Sequence, residues 1–155
     1  MSLKQISILF CISLGATPIS AGMTTHREMF SPCPASPNCV SSLSEDQKHF
    51  VEPIAYNGSI AQARQRLINI LQNTRGARLV IMEKDFLHAE YRSFVFGFVD
   101  DVVFYLPADK PVIHIKSASR SGHYDFGVNR RRVERLRAAF KTPLQDASTE
   151  KPDDE

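Results

Sequence analysis

The residues of this 155-residue chain best suited to chemistry lie near its C-terminal end, in the segment SASRSGHYDFGVNRRRVERLR at positions 117–137. Arg130, Arg131 and Arg132 stand where a helical pattern begins. A helix N-terminus carries partial positive charge, so each cation there costs about 0.3–1 kcal/mol. Two explanations of what offsets this cost remain open: ion pairs with protein carboxylates, or a bound anion held by arginines and free backbone N–H groups. The carboxylates available for ion pairs are Asp100, Asp101, Asp125 and Glu134.

A helical wheel separates these arginines. Arg131 and Arg135 point away from the apolar stripe into solvent, whereas Arg130 and Arg132 flank it on opposite sides. The stripe comprises Val133, Leu136 and Phe140. Arg130 and Arg132 are therefore the candidates for binding.

The loop before this helix favours a site over a simple connection. Gly122 and Gly127 permit backbone conformations that other residues resist, and Asp125 and Asn129 are residue types that bond local N–H groups. Phe94, Phe96 and Phe98 share a face if their segment is extended, which favours a core strand or an apolar wall for an amphiphile. We expect a non-catalytic module that binds an anionic or amphiphilic small ligand at the start of the last helix. The predicted ligand-binding residues are Ser117, Ser119, Arg120, Asp125, Asn129, Arg130, Arg132, Asp100 and Asp101.

Two other classes of function remain open, a structural or protein-interaction domain of the cell envelope and an enzyme. An enzyme would use Asp100, Asp101, His123 and Asp125 as its acids and bases. Adjacent strand residues point to opposite faces, so Asp100 and Asp101 serve one centre only if a turn or bulge intervenes. The sequence has no nucleophile elbow, no metal-binding histidine pair and no known phosphate-binding glycine loop, so neither cofactor nor metal is expected.

The N-terminal 21 residues have the pattern of a secretory signal peptide, with Lys4, an apolar core and small residues before a cleavage site. An uncleaved membrane anchor is the alternative. Cleavage would remove Cys11 and leave Cys33 and Cys39, an even pair that favours a disulfide in a periplasmic or extracellular protein. Free thiols, a metal site or a nucleophile are the alternatives for this pair. The mature chain has no apolar run of the roughly 20 residues that span a bilayer.

The hydrophobic pattern predicts a two-layer α+β domain at residues 49–141, with an antiparallel sheet of about five strands and two helices packed on one face. The helices are expected near 59–74 and 129–141, the first with a capping box at Ser59 and Gln62. Residues 22–48 are expected to form an irregular arm, and 142–155 a disordered acidic tail. The side chains expected on the buried face of the sheet are Leu87, Ala89, Val102, Phe104, Ile113 and Ile115.

Charge restricts the partners of this domain. Residues 22–144 contain 17 basic and 12 acidic residues, and the excess is confined to 120–141. Few aromatic residues interleave with the arginines, and an exported protein rarely meets nucleic acid, so no nucleic-acid partner is expected. The expected partner is an anionic small molecule or an envelope component.

Three blocks of the sequence, CPASPNCVSS, FGFVDDVVFYL and the opening segment, together resemble the domain of unknown function 1499 family. The resemblance covers about residues 30–141 and implies a small exported or membrane-associated protein of bacterial or plastid-related type. It implies no activity. Val103 departs from the family pattern, which often has an acid there. The signature falls on Cys33, Pro34, Ser36, Pro37, Asn38, Cys39, Asp100, Asp101, Ser117, Ser119, Arg120, Gly122, Asp125, Gly127, Asn129, Arg130 and Arg132.

Overall fold

The computed structural model describes residues 26–93 and 97–142, in which six strands and two long helices form an α+β domain. The helices are α1 (His26–Met29), α2 (Ile60–Gln72) and α3 (Val128–Lys141). The strands are β1 (Cys39–Ser41), β2 (Ile54–Ala55), β3 (Ala77–Met82), β4 (Phe86–Arg92), β5 (Val99–Tyr105) and β6 (Val112–Ser119). The predicted signal peptide and the acidic tail from residue 143 onward lie outside the described residues. None of the described helices is long and apolar enough to cross a membrane.

The sheet is antiparallel throughout, in the order β1-β6-β5-β4-β3, with β2 pairing with the start of β6. Alternation along β4, β5 and β6 places one apolar side chain of every two on the face that α2 and α3 cover, here called the helix face. The predicted fold class and register are confirmed, because all six side chains expected on the buried face are fully buried: Leu87, Ala89, Val102, Phe104, Ile113 and Ile115.

A local sequence signal defines the start of α2. The capping box at the start of α2 is confirmed: the Ser59 hydroxyl accepts from the Gln62 backbone N–H, and the Gln62 side chain accepts from the Ser59 N–H. Gly127 precedes α3 with a left-handed φ of 73° and offers no capping side chain. Val133, Leu136 and Phe140 of α3 are buried, as the wheel predicts.

The opposite face of the sheet, here called the arm face, is covered by part of the N-terminal arm, whereas the sequence placed covering elements on one face only. Residues 30–33 lie across it, and the Lys116 ammonium donates to the Ser31 carbonyl at 2.8 Å, which leaves Lys116 only 9% exposed. The Phe30 ring packs edge-on against Phe86, with centroids 6.3 Å apart. The expected irregular arm also contains strand β1, which is too short to show a period in sequence and is ordered by pairing with β6.

Candidate functional site

The structure divides the candidate residues between the two faces of the sheet. On the helix face, the guanidinium of Arg132 donates to Asp100 Oδ2 at 2.5 Å and to Ser117 Oγ at 2.9 Å. Arg132 is 7% and Asp100 9% exposed, so this is a buried ion pair. Ser117 keeps the inward phase of β6 and is fully buried. The protein-carboxylate explanation therefore accounts for Arg132.

Asn129 connects this ion pair to the loop before α3. Its side chain is fully buried, and its Oδ1 accepts from Ser117 Oγ at 2.5 Å and from Arg132 at 2.6 Å. Its Nδ2 donates to the Asn38 carbonyl at 2.9 Å and to Ser119 Oγ at 3.0 Å. These contacts join β6, α3 and the arm in one network with its polar groups paired, as buried polar groups require.

Asp125 supplies an anion at the start of α3 from within the chain. Its Oδ1 accepts from the Gly127 N–H at 2.8 Å, and its Oδ2 accepts from the Asn129 N–H at 2.9 Å. A carboxylate in this position stabilises the positive end of the helix. The structure therefore places Asp125 as a cap, a role that the sequence offered beside ligand binding.

The other two arginines of the triplet bond to backbone carbonyls. Arg130 donates to Phe50 O at 2.8 Å and to Lys48 O at 2.7 Å, contacts that no sequence signal indicated. Arg131 is exposed, as predicted, and donates to Phe126 O at 2.6 Å. Neither carboxylate pairing nor a bound anion is needed to account for these two side chains.

The arm face carries the second cluster. Arg120 donates to both carboxylate oxygens of Asp101, at 2.8 and 2.7 Å, and to Glu90 at 2.5 Å. His88 contacts Asp101 Oδ1 at 2.7 Å. Burial alone would raise the pKa of Asp101, but hydrogen bonds from His88 and Arg120 outweigh it and hold this pKa well below its usual range. A cleft of about 340 Å³ adjoins the cluster and is also lined by Lys116.

The acids and bases proposed for an enzyme are not brought into one centre. Asp100 and Asp101 follow one another in β5 and face opposite sides of the sheet, as the strand geometry predicts. His123 is exposed in the loop, and both oxygens of Asp125 accept bonds from the start of α3. The described residues also contain no group of three histidines, cysteines or carboxylates placed to hold a metal.

A cleft of about 460 Å³ runs beside α3 and contains two predicted site residues, Asp100 and Arg132. Its rim carries Arg75, Arg92 and Arg135, which the sequence analysis did not single out for binding. The guanidinium groups of Arg92 and Arg135 make no hydrogen bond or ion pair with any residue that the structure describes. The apolar residues lining the cleft are Ile70, Tyr91, Val128, Leu136 and Ala139.

Tyr91 lies at the base of this cleft and is 8% exposed. The guanidinium of Arg132 is stacked 4.7 Å from its ring centroid. Burial raises the pKa of Tyr91 to about 12, although the Arg132 charge opposes this shift. Its hydroxyl makes no hydrogen bond of normal geometry within the described ranges. Phe94 and Phe96 of the predicted apolar wall lie outside the described residues, and Phe98 is exposed.

The predicted disulfide is present. Cys33 and Cys39 are bonded, with Cα atoms 5.6 Å apart, and the bond ties the arm to the first residue of β1.

In a comparison with known families, a family described as "Protein of unknown function (DUF1499)" matches residues 29–140 of this chain. These residues include the predicted site, the disulfide, α2 and all of α3 except its last residue. No curated protein matches the chain.

Proposed function

Since the chain belongs to the DUF1499 family, whose description states no activity, we propose from the site geometry that it is a non-catalytic module that binds an anionic amphiphile. The ligand site is the cleft of about 460 Å³ beside α3. The observation that supports this proposal is the pair of arginines Arg92 and Arg135 on the rim of an apolar cleft, whose guanidinium groups bond to no residue among those that the structure describes.

The charge of the rim favours an anionic head group. Arg132 and Asp100 neutralise one another within the cleft, so Arg92 and Arg135 leave an excess of two positive charges on its rim. Guanidinium groups bind phosphate and carboxylate through two parallel N–H donors. A phosphate or carboxylate head group at the mouth of the cleft would therefore meet the guanidinium groups of Arg92 and Arg135, neither of which bonds to a described side chain.

The lining of the cleft favours an apolar tail. Ile70 of α2 and Leu136 of α3 present hydrocarbon on opposite sides, and Val128 and Ala139 extend this surface along α3. The volume lies within the range of about 300–1,000 Å³ typical of small-molecule sites. A second cleft, of about 520 Å³, is lined by Tyr56 and Phe140 but contains none of the predicted site residues.

We also propose that the protein is exported and acts in the periplasm or outside the cell. The Cys33–Cys39 bond supports this compartment, because disulfides persist in oxidising surroundings and are rare in the cytosol. The signal-peptide pattern of residues 1–21 supports it independently.

The test is calorimetric titration with dodecyl phosphate below its micellar concentration, using the wild type and Arg92→Ala/Arg135→Ala. Lys84→Ala/Lys110→Ala is the matched control, because it removes two exposed positive charges near the turns at the other end of the sheet. Loss of charge-assisted hydrogen bonds of about 1.5 kcal/mol or more should weaken binding at least about tenfold in the arginine variant. Equal affinities in wild type and arginine variant, or no binding at all, would refute the proposal.

A further inference from the structure

We propose that the loop between β6 and α3 carries a docking surface for an anionic membrane, whose centre is the pair Tyr124 and Phe126, here called the aromatic tip. Tyr124 is 62% and Phe126 77% exposed, the highest fractions among the large apolar side chains of the described residues. Their ring centroids are 5.0 Å apart in an edge-to-face arrangement. Exposed apolar side chains grouped in this way mark interaction sites more often than scattered ones do.

The backbone holds the aromatic tip in a conformation of raised energy. Phe126 has a φ of 53°, in the left-handed region that residues with a Cβ rarely adopt. Asp125 fixes the residues on its C-terminal side through the Gly127 and Asn129 N–H groups, and Arg131 bonds to the Phe126 carbonyl. Backbone strain that the surrounding structure maintains is found at functional sites, and here it projects an aromatic ring into solvent.

The charge around the aromatic tip complements an anionic surface. At the start of α3, Arg130 and Arg131 bond to backbone carbonyls, so neither charge is neutralised by a carboxylate. The Asp125 carboxylate lies at the positive start of α3, and Glu134 is paired with Arg137. Arg131 is exposed and bonded to the tip itself. Basic side chains near a bilayer of anionic lipids each contribute an attraction equivalent to about fivefold in binding.

The dimensions of the aromatic tip favour a membrane over a protein partner. Phe98 lies at the same end of the sheet, since β5 begins beside the end of β6 where Asp100 pairs with Ser119. It is 56% exposed and adds a third ring. Three aromatic side chains present on the order of 500 Å², whereas a stable protein interface needs about 800 Å² from each partner. Interfacial binding to a membrane depends on buried apolar area together with attraction of basic residues to anionic lipids, and aromatic rings are common at the head-group level.

The experiment uses the absence of tryptophan from this chain. Phe126→Trp places a single fluorophore at the aromatic tip of the full-length protein, and Met82→Trp places one on the exposed edge strand β3 as a matched control. Emission is recorded with vesicles of equal parts phosphatidylcholine and phosphatidylglycerol, and with vesicles of phosphatidylcholine alone. Because the signal is local, attachment through any other segment of the chain does not produce it.

We expect a blue shift and quenching by brominated phosphatidylglycerol for Phe126→Trp with the anionic vesicles, and neither for Met82→Trp. Adding Arg131→Gln should weaken this response about fivefold, since it removes one charge at the surface. Tyr124→Trp is the second reporter if Phe126→Trp fails to fold. Emission unchanged by vesicles in a folded reporter, or equal to that of Met82→Trp, would overturn the proposal.

This inference does not depend on the amphiphile cleft. Arg92→Ala/Arg135→Ala in the Phe126→Trp background should lose dodecyl phosphate binding and keep the vesicle response. Loss of the vesicle response in this background would contradict a docking surface centred on the aromatic tip.

Discussion

The buried pair of Arg132 and Asp100 yields the sharpest prediction for the fold. Arg132→Met keeps most of the apolar stem but leaves the Asp100 carboxylate at the helix face without its cation. It also removes the stacking on Tyr91. Breaking a buried ion pair by removing one partner costs about 3–5 kcal/mol, because the remaining charge has been desolvated without compensation. A small domain is stable by about 5–15 kcal/mol, so a loss of this size should still be measurable.

Asp100→Leu should destabilise the protein by a similar amount, since it leaves the Arg132 guanidinium buried. The double variant Arg132→Met/Asp100→Leu removes both charges, and replacing a whole buried pair by apolar groups is often close to neutral. We therefore expect its loss of stability to be smaller than the sum of the two single losses by at least about 3 kcal/mol. Urea unfolding followed by far-ultraviolet circular dichroism measures all four free energies.

The control cycle uses Arg78 and Glu90 on the arm face, where the Arg78 side chain is 73% exposed. Ion pairs with one partner in solvent are coupled by about 1 kcal/mol, so Arg78→Met and Glu90→Leu should be closer to additive, even though the Glu90 side chain is 18% exposed and also accepts from Arg120. If the effects of Arg132→Met and Asp100→Leu also add within about 0.5 kcal/mol, the buried pair is not coupled. The ion pair with Asp100 would then not stabilise the fold, and the structural role assigned to Arg132 would be wrong.

Three further predictions concern single features. Burial raises the pKa of Asp101, but hydrogen bonds from His88 and Arg120 outweigh burial and lower it. The Asp101 carboxylate therefore contributes fully to the free energy of unfolding above its unfolded pKa of about 3.9, and this contribution is lost as the pH falls below that value. In Asp101→Asn the free energy of unfolding in urea should fall less steeply below about pH 4, and an unchanged slope would contradict this. Cys33→Ser/Cys39→Ser should lower the free energy of unfolding by about 2 kcal/mol, and mass spectrometry of unreduced, alkylated native protein should find neither cysteine labelled. Asn129→Ala should lower the free energy of unfolding by roughly 3 kcal/mol or more, because it leaves several buried polar groups without hydrogen bonds. A thermal midpoint within a few degrees of the wild type would refute this.

The main elements of the fold were predictable because their signals are local. Alternation with a period of two identified Ile113 and Ile115 as buried, and a period of 3.6 identified Val133 on α3. The capping box at Ser59 involves only residues within one turn of helix. β1 was not predicted, since three residues carry no period and its order comes from pairing with β6, some 75 residues away in sequence.

The site was predictable only in part. Sequence reasoning identified Asp100 and Arg132 as candidate ligand-binding residues, and in the structure they form a buried ion pair. It also placed Asp100 and Asp101 on opposite faces of β5, and the structure confirms this placement. It did not identify Arg92 and Arg135 as rim residues of one cleft. No spacing rule relates them, because one ends a strand and the other lies within a helix more than 40 residues later.

The sequence by itself determined which residues face the core and where α2 begins, and it favoured the pairing of Cys33 with Cys39, because each of these depends on neighbours along the chain. Only the tertiary structure decided what the arginines contact. Arg130 bonds to carbonyls about 80 residues away, and Arg132 is neutralised by Asp100 from an adjacent layer. The partner of a long, charged side chain is set by which elements pack beside it, and that packing is a property of the whole fold.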